Sequence, residues 1–132
     1  MKRHVLSALP LAAALLLPAA AQAQEDLLPE GPQVIEVTLV RWGMGFDTAT
    51  VEGDTARFQI RNAGDTIHAF ELEGEVGGEK IEVQSAELEP GEEAIIIVSL
   101  PPGEYVVYCP IDRHRAFGME ATVTFTGGEQ SE

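Results

Sequence analysis

The sequence predicts an all-β fold, a single antiparallel sandwich of seven or eight short strands. Three observations support it. Short runs rich in β-branched and aromatic residues recur along the chain. Turn residues separate them, at Glu52-Gly53-Asp54, Gly77-Gly78, Pro90-Gly91 and Pro101-Pro102-Gly103. No stretch carries the apolar periodicity of a helix, and at most a single turn is expected near Ser85 to Leu88. At 132 residues the chain is long enough for one domain and not two.

The chain opens Met1-Lys2-Arg3-His4, runs apolar from Val5 to Leu17, and reaches Ala21-Gln22-Ala23. Charged, apolar and small segments in that order are expected to form a cleaved export signal over residues 1–23, with an exported (for example periplasmic) product starting at Gln24. The apolar run is too short to span a bilayer, and nothing later is long enough. Residues 24–33 hold two Pro, one Gly and three acids and are expected to be a leader with little fixed structure. Residues 127–132 are expected to be a small polar tail, which leaves a folded body over residues 34–126.

Within that body Val34 to Val40 is the first strand, with Ile35, Val37 and Leu39 on one face. Ala56 to Arg61 alternates, with Phe58 and Ile60 inward and Arg57, Gln59 and Arg61 outward. Asn62-Ala63-Gly64-Asp65 closes it. His68 to Glu73 alternates again, with His68, Phe70 and Leu72 on one face. Ile81 to Val83, Ala94 to Leu100, Tyr105 to Tyr108 and Ala121 to Phe125 follow. The run Ile95 to Val98 is apolar on both faces and is expected to be a central strand. Ile95, Ile97, Val106, Tyr108, Val123 and Phe125 join the inward residues as core candidates. Trp42, among glycines, is expected to plug one end of the sandwich.

Loss of residues 1–23 would leave six basic residues against 22 acidic ones, a net charge near −16 with His neutral. Such a chain does not attract nucleic acid or an anionic membrane. It would keep two His, His68 and His114, two Met, Met44 and Met119, and one Cys, Cys109. A lone Cys forms no internal disulfide and in an oxidising compartment is expected to be buried, paired between chains or bound to metal. The chain has too few Cys and His for a zinc finger. Cys109 ends an apolar strand, His114 follows after four residues and Met119 after four more. A thiolate, two imidazoles and a thioether are the ligand set of blue-copper electron-transfer sites. Met44 is expected to be core.

Asn62-x5-His68 with Phe70, Pro102-Gly103-Glu104-Tyr105, Tyr108-Cys109, His114 and Gly118-Met119 resemble the motifs of the cupredoxin family. The resemblance spans nearly all of the chain after residue 23. The Cys-x4-His-x4-Met spacing is nearer rusticyanin-like and sulfocyanin-like members than plastocyanin. Ala69 stands where several relatives have Asn, and Asp112-Arg113 replaces a commoner Pro/Gly turn. The resemblance implies a Greek-key sandwich holding one type 1 copper ion, Cu(I)/Cu(II), on His68, Cys109, His114 and axial Met119. It implies a soluble monomer that is not an enzyme and carries single electrons. The expected partner is a redox protein of the cytochrome or copper oxidase/reductase type. Copper storage, delivery or resistance is the alternative role.

The backbone N–H of Ala69 is the expected donor to the Cys109 sulfur, and Pro110 removes another. Nine Glu against one Lys between Glu71 and Glu93 read as a solvated face. Arg113, Arg115, Ala116 and Phe117 flank His114, where a metal would lie nearest solvent. They are the expected docking patch for the redox partner.

Overall fold

The computed structural model describes residues 31–127. The expected signal (1–23), most of the expected leader (24–30) and most of the expected tail (128–132) lie outside the described residues. Among the described residues eight strands form: β1 Gln33–Leu39, β2 Thr48–Val51, β3 Thr55–Asn62, β4 Glu71–Val76, β5 Glu79–Gln84, β6 Glu93–Ser99, β7 Gly103–Tyr108 and β8 Glu120–Phe125. They make a three-stranded sheet, β1-β3-β6, and a five-stranded sheet, β2-β8-β7-β4-β5. The all-β sandwich is as the sequence predicts. Among the described residues, no helix is long and apolar enough to cross a membrane.

The pairing is mixed rather than purely antiparallel. Strand β1 runs parallel to β3, and β2 parallel to β8. Between β1 and β3 the chain visits the other sheet as β2. A strand that returns after such a crossover can lie parallel to the one it left, whereas a tight hairpin forces antiparallel pairing. Strand β2 escaped the sequence reading because its four residues bury only Val51.

The core lies between the two inner faces. Val37, Leu39, Phe58, Ile60, Phe70, Leu72, Val123 and Phe125 are buried as expected, and so is Met44. The register of β7 is the reverse of the expected one. Tyr105 and Val107 are buried, while Val106 and Tyr108 are half-buried. Cys109 continues the strand's alternation and points inward, so Tyr105 and Val107 share its face. Gly74 makes room for the Tyr105 ring, since a side chain there would collide with it. The Tyr105 hydroxyl then donates to the Pro101 carbonyl at 2.8 Å. Strand β6 is also misplaced by the sequence reading. It is an edge, not a central strand, and Ile95 and Ile97 are exposed. No helical turn forms near Ser85 to Leu88. Leu88 instead bridges His68, with backbone hydrogen bonds of 2.8 and 3.1 Å.

Candidate metal centre

Strand register brings the candidate donors together. Tyr108 of β7 lies opposite Glu71 of β4 on one side and Glu120 of β8 on the other. One residue further along each strand are Phe70, Cys109 and Met119. Residues level with each other across paired strands point to the same face, and all three are fully buried. Met119 is tied to this row by the Cys109 N–H, which donates to its carbonyl at 3.1 Å. His68 lies two residues before Phe70, on the same inward face, and is buried.

His68 is not in a strand; it sits at the end of a loop that one side chain organises. Asn62 is fully buried at the end of β3. Its Nδ2 donates to the Thr66 and Leu88 carbonyls, each at 2.8 Å, and its Oδ1 accepts the Gly64 N–H at 2.9 Å. Three of its four hydrogen-bonding capacities are thus spent on holding the loop. Gly64 backs the imidazole, and a Cβ there would stand 2.9 Å from His68 Nε2.

The loop between Cys109 and Met119 is held differently, by its own backbone. His114 N–H donates to Ile111, Phe117 N–H to His114, Gly118 N–H to Arg115 and Met119 N–H to His114, at 3.0 to 3.1 Å. Asp112 takes a left-handed φ of 43°, a conformation Asp tolerates better than most residues. Gly118 has φ 125°, and a Cβ on it would lie 3.0 Å from the Trp42 carbonyl.

These elements aim three electron-pair donors at one point. His68 Nδ1 and His114 Nδ1 are 3.2 Å apart, Cys109 Sγ is 3.5 Å from His114 Nδ1, and Cys109 Sγ is 3.9 Å from His68 Nδ1. The point equidistant from the corners of that triangle is about 2.1 Å from each, within the roughly 2.0 to 2.3 Å of metal bonds to imidazole nitrogen and thiolate sulfur. All three residues are buried. The donor set and its spacing therefore fit a metal of the copper class, for which soft sulfur and imidazole are matched ligands. Glu71, Glu73 and Glu82 also cluster, but Lys80, Arg115 and the Tyr108 hydroxyl already engage that group.

Burial sets the protonation of the free donors. It pushes the Cys109 thiol up, and the backbone N–H groups of Ala69 and Ile111 pull it partly back. The expected Ala69 N–H contact to Sγ is present at 3.5 Å. Burial lowers the pKa of His68, helped by the charges of His114 and Arg41 and opposed by Asp65. His68 is therefore neutral near pH 7, with a lone pair to give, while the Cys109 thiol would have to release its proton to solvent for a metal to take the thiolate.

A scan of known protein families matches residues 7–124 to the cupredoxin-like domain. The chain belongs to that family. Solved structures agree in fold at low sequence identity. Dithionite-reduced auracyanin from the photosynthetic bacterium Roseiflexus castenholzii superposes with a TM-score of 0.63 at 18% identity, covering 74% of this chain and 99% of that one. Auracyanin A, a blue copper protein from Chloroflexus aurantiacus, gives 0.60 at 14% identity, over 73% and 100%. A multicopper oxidase from Campylobacter jejuni gives 0.54 at 11% identity, covering 76% of this chain but 31% of the oxidase. No curated protein matches. In this cupredoxin-like chain His68, Cys109, His114 and Met119 are arranged as a type 1 copper site.

The surroundings of the centre differ from expectation in two places. Trp42 does not plug the sandwich. Its ring lies 4.9 Å from that of His114 and 4.8 Å from that of Phe117, and it is 39% exposed. It covers the centre, and its one local signal is an aromatic residue in a Gly-rich loop. Phe117 beside it is exposed, as are Arg113 and Ala116. Arg115 turns away, to within 2.6 Å of Glu120 and 3.6 Å of Glu73, with its guanidinium 4.0 Å from the centre of the Tyr108 ring.

Proposed function

We propose that this is an exported type 1 copper protein that carries single electrons between redox proteins by outer-sphere transfer. His68, Cys109, His114 and Met119 are the residues that would hold the ion. The convergence of two Nδ1 atoms and one Sγ on a single buried point carries the reading. Copper held there supplies a centre that alternates between two oxidation states.

The chain's part is to keep the donors still. Two hydrogen-bonded loops on paired strands restrict their movement, so little structure must change on gaining or losing an electron. The Ala69 N–H stabilises a thiolate at Cys109. His114 lies beneath Trp42 and beside Phe117, which favours electron entry and exit at that end. A carrier is favoured over an enzyme because the chain has two His after residue 23, and both lie in this one site. Export rests on the composition of residues 1–23, and recovery of a chain beginning at Gln24 from outside the cytoplasm tests it.

The visible and electron paramagnetic resonance spectra of the Cu(II) form decide the central point. An intense thiolate-to-copper band is expected, and Cys109→Ser abolishes it. A copper-loaded chain with no such band overturns the reading. A reversible one-electron potential supports a carrier over a storage or delivery protein. For docking, a cytochrome or a copper oxidase/reductase is proposed to meet Arg113, Ala116, Phe117 and Arg115. Because Arg115 is already paired with two carboxylates, Arg113→Glu should slow partner reduction at low salt more than Arg115→Glu does. Unchanged rates in both remove the patch from the proposal.

A further inference from the structure

We propose that two copies of this chain pair antiparallel along β6, which joins their three-stranded sheets into one six-stranded sheet. The inference begins with the edges. An exposed strand edge offers unpaired N–H and C=O groups, and proteins usually blunt it with charge, proline, shortness or a covering segment. Each of the other described edges carries such a device. Strand β5 has Glu79, Lys80 and Glu82, with Lys80 paired to Glu82 at 2.8 Å. Strand β2 is four residues long. Strand β1 is engaged by the segment after it: Thr38 N–H donates to the Met44 carbonyl, and the Gln33 side chain bonds Thr50 and Glu52.

Among the described residues, strand β6 has none of these between Ala94 and Val98. Its prolines, Pro90 and Pro101, and its acids, Glu92 and Glu93, stand at or beyond its ends. Among the described residues its only strand partner is β3. On the outer face Ile95 and Ile97 are 56% and 59% exposed. With isoleucine rather than charge at both positions, neither side chain repels a second strand laid along the edge.

A second copy is the occupant that the strand itself specifies. The backbone edge calls for another strand, and the sequence from Glu93 to Ser99 is compatible with itself turned end for end. With Ile96 on the two-fold axis, Ile95 faces the partner's Ile97, Ala94 faces its Val98, and Glu93 faces its Ser99. Four isoleucines then form one patch on the outer face, extended by Arg57 and Gln59, which lie level with Ile97 and Ile95 on β3. The two Glu93 side chains end up about 20 Å apart, beyond a Debye length of about 8 Å, so this pair of carboxylates opposes the pairing only weakly. The arrangement also closes, because both copies spend the same edge on each other.

Sedimentation of the copper-loaded chain from about 10 µM to about 1 mM tests this. The average mass should rise toward twice that of one chain and no further. The double variant Ile95→Lys/Ile97→Lys should lose the rise entirely and stay at the mass of one chain, with its copper spectrum unchanged. A wild-type chain that stays single throughout, assembly beyond two, or a dimer that survives the double variant overturns the proposal. Amide exchange on the unsubstituted chain decides the matter independently of how the variant folds. Exchange in β6 should slow as concentration rises, and exchange in β5 should not. Equal behaviour of the two strands is fatal to the pairing.

Discussion

The two segments that build the metal centre are held by different means. The loop from Asn62 to His68 depends on one buried side chain, whose amide makes three hydrogen bonds across it. The loop from Cys109 to Met119 depends on a series of backbone hydrogen bonds that belong to no single side chain. The first arrangement concentrates the stability of a ligand in one residue, and the second spreads it. Substitutions at single positions should therefore affect the two histidines very unequally.

The largest effect is expected at Asn62. Replacing it with Ala leaves the Leu88 and Thr66 carbonyls and the Gly64 N–H without their partner. Each buried group left unpaired costs about 1 to 3 kcal/mol, and relaxation and solvent entry return part of that. A loss of about 2 to 4 kcal/mol in the denaturant unfolding free energy is expected. With His68 no longer held, copper affinity should fall by about 10- to 100-fold. Competition with a chelator measures it. An Asn62→Ala chain that keeps its copper affinity would show that the strand bridge to Leu88 alone positions His68.

A smaller effect is expected from the backbone-held loop. Gly118→Ala forces a side chain into the left-handed region and toward the Trp42 carbonyl. Strain of that kind costs about 1 to 3 kcal/mol. Most of it should appear as a shift of Trp42, the chain's only Trp, and therefore in the fluorescence of the metal-free chain. Copper affinity should fall less than in Asn62→Ala, because the other backbone bonds of the loop persist. The reverse ranking would contradict the contrast between the two segments.

That contrast also explains what was legible in the sequence. Cys109, His114 and Met119 lie within one short segment, and period-two alternation puts His68 on the same face as Phe70 and Leu72, so all four could be singled out. The grip of Asn62 on Thr66, Gly64 and Leu88 could not be read, because Leu88 lies 26 residues away in sequence. Trp42 was misjudged for the same reason: its neighbours are His114 and Phe117, far along the chain. Strand β6 was misjudged because four consecutive apolar residues describe a buried strand and an unguarded edge equally well. In β7 two apolar faces compete, and only the inward turn of Cys109 decides between them.

The smallest predicted effect separates the two segments by pH in the metal-free chain. Burial lowers the pKa of His68 below the ordinary 6.5. Above pH 6.5 the imidazole is neutral folded or unfolded, and its contribution to stability is fully present. Below 6.5 the unfolded chain takes up a proton that the folded chain resists, so stability is lost as pH falls. Burial raises Cys109 above the ordinary 9.0. Below pH 9.0 its contribution is fully present, and it is lost as the unfolded thiol ionises at higher pH. One proton changes stability by at most about 1.4 kcal/mol per pH unit. Denaturation midpoints of the metal-free chain should therefore form a plateau between these limits, with an acid limb that reports the side-chain-held segment and an alkaline limb whose onset reports the backbone-held one, because Tyr105 and Tyr108, which burial also raises, join it only above the ordinary 10.0. His68→Gln should flatten only the acid limb, and Cys109→Ser only the alkaline one. A variant that flattened the opposite limb would show that the donors do not titrate as their burial requires.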